Sequence, residues 1–244
     1  MSNFFLAIIF GFVAALANLL GGLIVFKKEW SHLFLRYFVA LGAGFMFAAV
    51  ILEMIPESIR LTKLAPILIL LGYIAVNFME HAMSHHIDID DAKHDGIMFH
   101  SSVGTFAFAG LLLHSFFDGV AIGSSFIIST SLGVIIFMAM ALHKIPGGFT
   151  VASILIASGK SKGRGLGAAA ALGIATIVGV FSISWASFLV AYGLAVAAGV
   201  TIHVAASDLI PEINQHRDLK TSSMVFLGIF LYFITDLLLE KFLL

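Results

Sequence analysis

The sequence predicts an all-α integral membrane protein of eight transmembrane helices, with helices 1–3 and 6–8 forming an inverted repeat around helices 4–5. Three observations predict it. The 244-residue chain is 60% hydrophobic and only 11% charged, too little polar surface to coat a soluble globule. Its apolar residues gather in eight runs of about 20, the length of a helix across a hydrocarbon core. Two of those runs end in the same short motif.

The first run, about 4–26, starts close to residue 1 without a basic leader, exceeds signal-peptide length and lacks a small-residue cleavage site. It is expected to stay as helix one. The second, about 33–55, leads into Glu53-Met-Ile-Pro56-Glu57, and the third covers about 64–82. A His/Asp-rich loop follows over 83–100. The fourth and fifth runs, about 101–126 and 130–158, hold the ionisable residues discussed below, and the sixth covers about 166–190. The seventh, about 192–212, repeats the ending of the second, and the eighth covers about 222–244. Links this short leave no room for a second domain, so 1–244 reads as one transmembrane domain.

Gly44 through Glu53-Met-Ile-Pro56-Glu57 aligns with Gly199 through Asp208-Leu-Ile-Pro211-Glu212. Units of three helices each, built around these runs, would insert in opposite orientations. Inverted repeats of this kind are typical of secondary transporters, which hold substrate near the bilayer midplane.

Charge sets the orientation. Lys27, Lys28, Lys93, Lys160, Lys162, Arg164, Arg217 and Lys220 follow the odd-numbered runs, against Arg60, Lys63 and Lys241 on the other side. Under the positive-inside rule both termini lie outside the cytoplasm and the 83–100 loop inside, in a multi-pass protein of the cell membrane. A net charge of −1 argues against a nucleic-acid partner, and the absence of cysteine excludes thiolate metal sites. No phosphate-binding Gly-Lys-Ser/Thr loop is present, which argues against an ATP-driven pump.

The fourth run contains His114-Ser-Phe-Phe-Asp118-Gly119 and the fifth His143-Lys144-Ile-Pro146-Gly147-Gly148. A charge at mid-membrane costs about 2.5–3.5 kcal/mol on insertion scales, so such groups face a partner, water or an ion. His114 and Asp118, four residues apart, share one helix face. Imidazole suits borderline metals and carboxylate adds neutralising charge, while a hydrogen-bonded structural pair is the plainer reading. His143 adds a second imidazole in the next run, next to Pro146, whose missing N–H is expected to break the helix there and free the Leu142 carbonyl. Lys144 is a cation among metal ligands and needs a carboxylate. Asp118 is the nearest candidate, so the ammonium would tune the charge of the site and stand where a second metal would otherwise sit.

Glu53, His203 and Asp208 lie deep enough in apolar sequence to read as metal-contacting positions along a pathway. Glu57 and Glu212 read as solvated helix-end charges. His85, His86 and His94, in or beside the polar loop, are possible metal binders of no fixed geometry.

These residues resemble those of the ZIP family of divalent metal transporters. Typical members read His-Asn-Xaa-Xaa-Glu/Asp-Gly in the fourth helix and His-Glu-Xaa-Pro-Glu-Gly in the fifth. This chain keeps His114, Asp118, Gly119, His143 and Pro146, but has Ser115 for the Asn, and Lys144 and Gly147 for the two Glu residues. The resemblance implies a two-metal centre in typical members. Here the second ion's ligands are largely missing, which implies one metal and a divergent branch with His-Lys-Xaa-Pro in helix five. It further implies an elevator-type homodimer moving Zn²⁺, or Fe²⁺, Mn²⁺ or Cd²⁺, toward the cytoplasm, without a resident cofactor or enzymatic activity. The alternatives carried from the residues are an intramembrane zinc-dependent hydrolase and a metal sensor without flux.

Overall fold

The computed structural model describes residues 3–25, 32–85, 101–157, 159–185, 190–211 and 219–243. Its helices are α1 (Asn3–Ile24), α2 (His32–Ala49), α3 (Ile55–Leu61), α4 (Ala65–His85), α5 (Ser101–Ile128), α6 (Thr130–Ala157), α7 (Lys162–Trp185), α8 (Val190–His203) and α9 (Leu219–Leu243). No strand occurs among the described residues. Seven helical segments are long and apolar enough to cross a membrane, and α4 adds a shorter apolar stretch over Ala65–Met79. The protein is therefore an all-helical, multi-pass membrane protein.

The second run differs from its expected end near residue 55. The chain widens into a π-type turn over Val50–Met54 and then continues as α3 to Leu61. Pro56 does not stop the helix because it falls in the first turn of α3, where its missing N–H is little needed. The seventh run does the same: α8 gives way to a π-type turn over Val204–Leu209. Each such turn accommodates one extra residue. The two turns fall on matching positions of the Gly44–Glu57 and Gly199–Glu212 segments, with Val50 to Met54 aligned to Ala205 to Leu209.

Packing divides the helices into two sets. α1, α5, α6 and α7 pack on one another, while α2 packs on α9 and α4 on α8. α5 touches α8 and α6 touches α2, so the two ion-bearing helices lie between the sets. Helix backbones approach closely where glycine leaves no side chain, the usual means of tight helix contact in lipid. A Cβ on Gly119 of α5 would collide with the Thr176 carbonyl of α7, and one on Gly179 with the Phe116 carbonyl. The α6–α1 pair repeats this: Gly148 abuts the Asn18 carbonyl and Gly21 the Ile145 carbonyl.

The core between the sets includes Phe45, Met46, Phe126, Ile136, Met140 and Leu194. Large apolar side chains such as Leu16, Leu20, Ile67, Leu70, Phe226 and Phe230 face outward. That distribution suits lipid, which does not penalise exposed hydrocarbon as water does.

Candidate metal centre

α5 and α6 run side by side and each turns one histidine toward the other. His114 Nε2 lies 3.3 Å from His143 Nε2. Asp118, one turn beyond His114 on the same face of α5, places Oδ2 3.4 Å from His114 Nε2 and 3.3 Å from His143 Nε2. All three residues are buried. They are the one group of three or more potential metal-binding side chains, with ligand atoms mutually within 4.8 Å, among the described residues.

His143 Nδ1 lies 3.1 Å from the Ala139 carbonyl, which can only accept, so Nδ1 donates to it and Nε2 is the ring nitrogen turned toward Asp118 and His114. A backbone carbonyl on the far nitrogen is the usual outer partner of a metal-binding histidine. With both Nε2 atoms unprotonated, as metal binding requires, the inner triangle would consist of electron-pair donors. Tetrahedral zinc, with bonds of about 2.0–2.1 Å, sets neighbouring ligand atoms about 3.3–3.4 Å apart, which is the spacing of this triangle.

Lys144 enters the centre from the other side. Its ammonium donates to Asp118 Oδ2 at 2.6 Å and to Thr176 Oγ1 of α7 at 3.0 Å. The Thr176 hydroxyl in turn donates to the Leu172 carbonyl, which leaves its oxygen free to accept from lysine. Lys144 and Asp118 are each only 1% exposed, so the pair is shielded from water and the ammonium does not snorkel to solvent. The expected lysine–aspartate contact is present.

Pro146 does not break α6, contrary to expectation: the helix runs through it without interruption from Thr130 to Ala157. One missing N–H is a small loss in a long helix clasped by α1, α2, α5 and α7. The Leu142 carbonyl, which loses that donor, lies against α2 at Gly42, where a Cβ would stand 3.4 Å from the oxygen.

Among the described residues, Glu53 and His203 do not join this group. Glu53 accepts a hydrogen bond from Tyr232 of α9 at 2.9 Å, on the α2–α9 contact. His203, 1% exposed, packs on the Tyr73 ring and lies 3.4 Å from Asn77 Nδ2, on the α4–α8 contact. Nearby, Tyr73 and Ser207 share a hydrogen bond of 2.8 Å. Glu57 pairs with Arg60 one turn along the exposed end of α3, in keeping with a solvated helix end. The side chains of His85 and Asp208, and all of His86, His94 and Glu212, lie outside the described residues.

Residues 89–236, more than half of the sequence, match the family model described as ZIP, the ZIP zinc transporter. The chain belongs to the ZIP family. Relatives of this ZIP protein include an uncharacterized protein of Methanocaldococcus jannaschii, 26% identical over 201 residues, covering 78% of this chain and 80% of that one. The zinc transporter foi of Drosophila melanogaster is 29% identical over 162 residues, covering 64% of this chain and 23% of that one. Zinc transporter ZIP9 of Micropogonias undulatus is 28% identical over 159 residues, covering 60% and 50%. The chain thus spans most of the archaeal relative but half or less of these two zinc transporters. Family membership agrees with a transporter rather than an enzyme, and with the absence of a resident cofactor.

Two residues that the sequence reading passed over prove to border the centre. Thr176 holds the lysine, and Asn18 of α1 lies beside Gly147 of the fifth-helix motif. A single threonine or asparagine in an apolar run carries no pattern. Alignment of the fourth run with the fifth, and of the first with the sixth, would have singled out both.

Proposed function

We propose that this ZIP protein carries divalent metal cations, zinc foremost, across a membrane toward the cytoplasm, with His114, Asp118 and His143 holding one ion between α5 and α6. The observation that carries the reading is the buried triangle of Nε2, Nε2 and Oδ2 at zinc-like spacing. The zinc transporters among its relatives support the choice of cargo.

Lys144 favours one ion over two. Its ammonium cancels the Asp118 charge, so the pair is neutral before cargo arrives, and a second divalent ion would meet a fixed cation. The His-Lys-Xaa-Pro signature is the mark of a divergent branch in this reading. The matched π-type turns and paired glycine contacts support an inverted repeat of helices 1–3 and 6–8 within one transmembrane domain. The two packing sets support an elevator, in which α1, α5, α6 and α7 slide against a scaffold of α2, α3, α4, α8 and α9, assembled as a homodimer.

Both termini lie outside the cytoplasm, so an inside-negative potential drives cargo inward by about 2.3 kcal/mol per charge per 100 mV, doubled for a divalent ion. Glu53, His203 and Asp208 contact the ion along the route in this scheme, and His85, His86 and His94 bind it at the cytoplasmic loop.

Equilibrium zinc binding to the purified protein tests the reading. With His85, His86 and His94 replaced by alanine to silence the loop, one ion per chain is expected, lost on adding His114→Ala/His143→Ala to a folded protein; two ions per chain in that background, or binding that survives the added double substitution, would contradict it. Protons compete for the imidazole lone pairs that a metal needs, so zinc binding is expected to be lost once the buried histidines are forced to take protons.

A further inference from the structure

We infer that the cargo ion's fourth ligand is an exchangeable water held over Gly147 by Asn18, an inference that rests on the metal centre just proposed. The argument is one of local symmetry. A shift of 29 positions carries His114 to His143, Ser115 to Lys144, Asp118 to Gly147 and Gly119 to Gly148. A shift of 158 carries Asn18 to Thr176 and Gly21 to Gly179. The backbone contacts obey both shifts: Gly119 meets Thr176 as Gly148 meets Asn18, and Gly179 meets Phe116 as Gly21 meets Ile145. The centre therefore straddles a pseudo-two-fold axis passing between the two Nε2 atoms.

That axis carries Asp118 Oδ2 to a mate position at the same distances from the two histidines. Two nitrogens, Oδ2 and this mate would supply the four corners of the tetrahedron that zinc prefers. The residue beneath the mate position is Gly147, which supplies no side chain. A Cβ built there would have one neighbour within 4 Å, Asn18 Oδ1 at 3.9 Å. Asn18 is itself 1% exposed, and its Nδ2 has no hydrogen-bond partner. So the fourth corner lacks a protein ligand and is bordered by a buried carboxamide. On the mirrored side, Thr176, the counterpart of Asn18, accepts from the Lys144 ammonium. A water on a divalent ion is a strong donor, and the Asn18 carbonyl is placed to accept from it. Asn18 is then a positioning residue that acts on the ion through that water. An ion held by three protein ligands and a replaceable water exchanges more readily than one in a closed cage, which suits cargo rather than a structural metal.

Cobalt in place of zinc, read by its visible spectrum in purified full-length protein, with azide as the competing ligand, tests this. Wild type is expected to bind Co²⁺ and to shift its spectrum on azide addition. Gly147→Asp, which places a carboxylate at the fourth corner, is expected to bind Co²⁺ with no azide response. Asn18→Ala is expected to keep the azide response and to bind Co²⁺ about 10-fold more weakly, the loss typical of an outer-sphere partner. In the Gly147→Asp background, where no water is left to hold, Asn18→Ala is expected to cost nothing further in Co²⁺ affinity, whereas a merely structural role for Asn18 would cost about 10-fold there too. Co²⁺ binding that ignores azide in wild type, or an azide response that survives Gly147→Asp, overturns the water. Unchanged affinity in Asn18→Ala overturns the role of Asn18. Absence of any Co²⁺ binding that depends on His114 and His143 removes the metal centre itself, and the inference with it.

Discussion

Replacing Asp118 by asparagine is expected to abolish metal binding and to destabilise the fold by about 3–5 kcal/mol, the usual result of removing one member of a buried ion pair. The cause is Lys144, left with Thr176 as its partner and no counter-charge, 1% exposed inside the helix bundle. Thermal unfolding in detergent measures the loss. Asp118→Asn/Lys144→Met, which removes both charges, should recover most of the stability and none of the metal binding. If the single variant melts with wild type, Lys144 is not paired as described. If the double variant melts as low as the single, the charge is not the cause.

Gly148→Ala and Gly119→Ala are the second pair with large expected effects. A methyl group at either position would drive into a carbonyl oxygen of the neighbouring helix, Asn18 for the first and Thr176 for the second. Backbone cannot rotate aside as a side chain can, so the loss should reach or exceed the about 1–3 kcal/mol typical of overpacking. Gly147→Ala is the control. It is one residue away, but its nearest neighbour would be 3.9 Å distant, and its melting temperature should stay close to that of wild type. Equal melting of Gly147→Ala and Gly148→Ala would contradict the α1–α6 approach.

Much of this was legible in the sequence because the bilayer imposes strong rules. Apolar runs of spanning length had to be helices, and charges inside them had to find partners. His114, Asp118, His143 and Lys144 stood out for that reason, and they do converge. The details that stayed hidden are those that hydropathy does not encode. A π-type turn inserts one residue without changing the composition of a run, so neither Val50–Met54 nor Val204–Leu209 shows in the pattern. Pro146 read as a break because local chemistry disfavours it in a helix interior, yet α6 runs through it and is held by surrounding helices. The hydrogen bond from Tyr232 to Glu53 was hidden because the two residues are remote in sequence. Asn18 and Thr176 emerge only when the halves are superposed.

The pairing of Lys144 with Asp118 also bears on how a transporter would reset. A carboxylate alone in the centre would cross the membrane interior as a bare charge on the return stroke. With the ammonium 2.6 Å away, the pair is a neutral unit, and in the proposed elevator it would carry less isolated charge through low dielectric.

Zinc flux into sealed proteoliposomes loaded with a metal-sensitive dye tests the central claim most directly, with wild type compared against His114→Ala/His143→Ala reconstituted at equal density. The account predicts saturable uptake by wild type and none by a folded double variant. Uptake that persists without the two histidines, or wild-type vesicles that admit no metal at any pH tested, would contradict it.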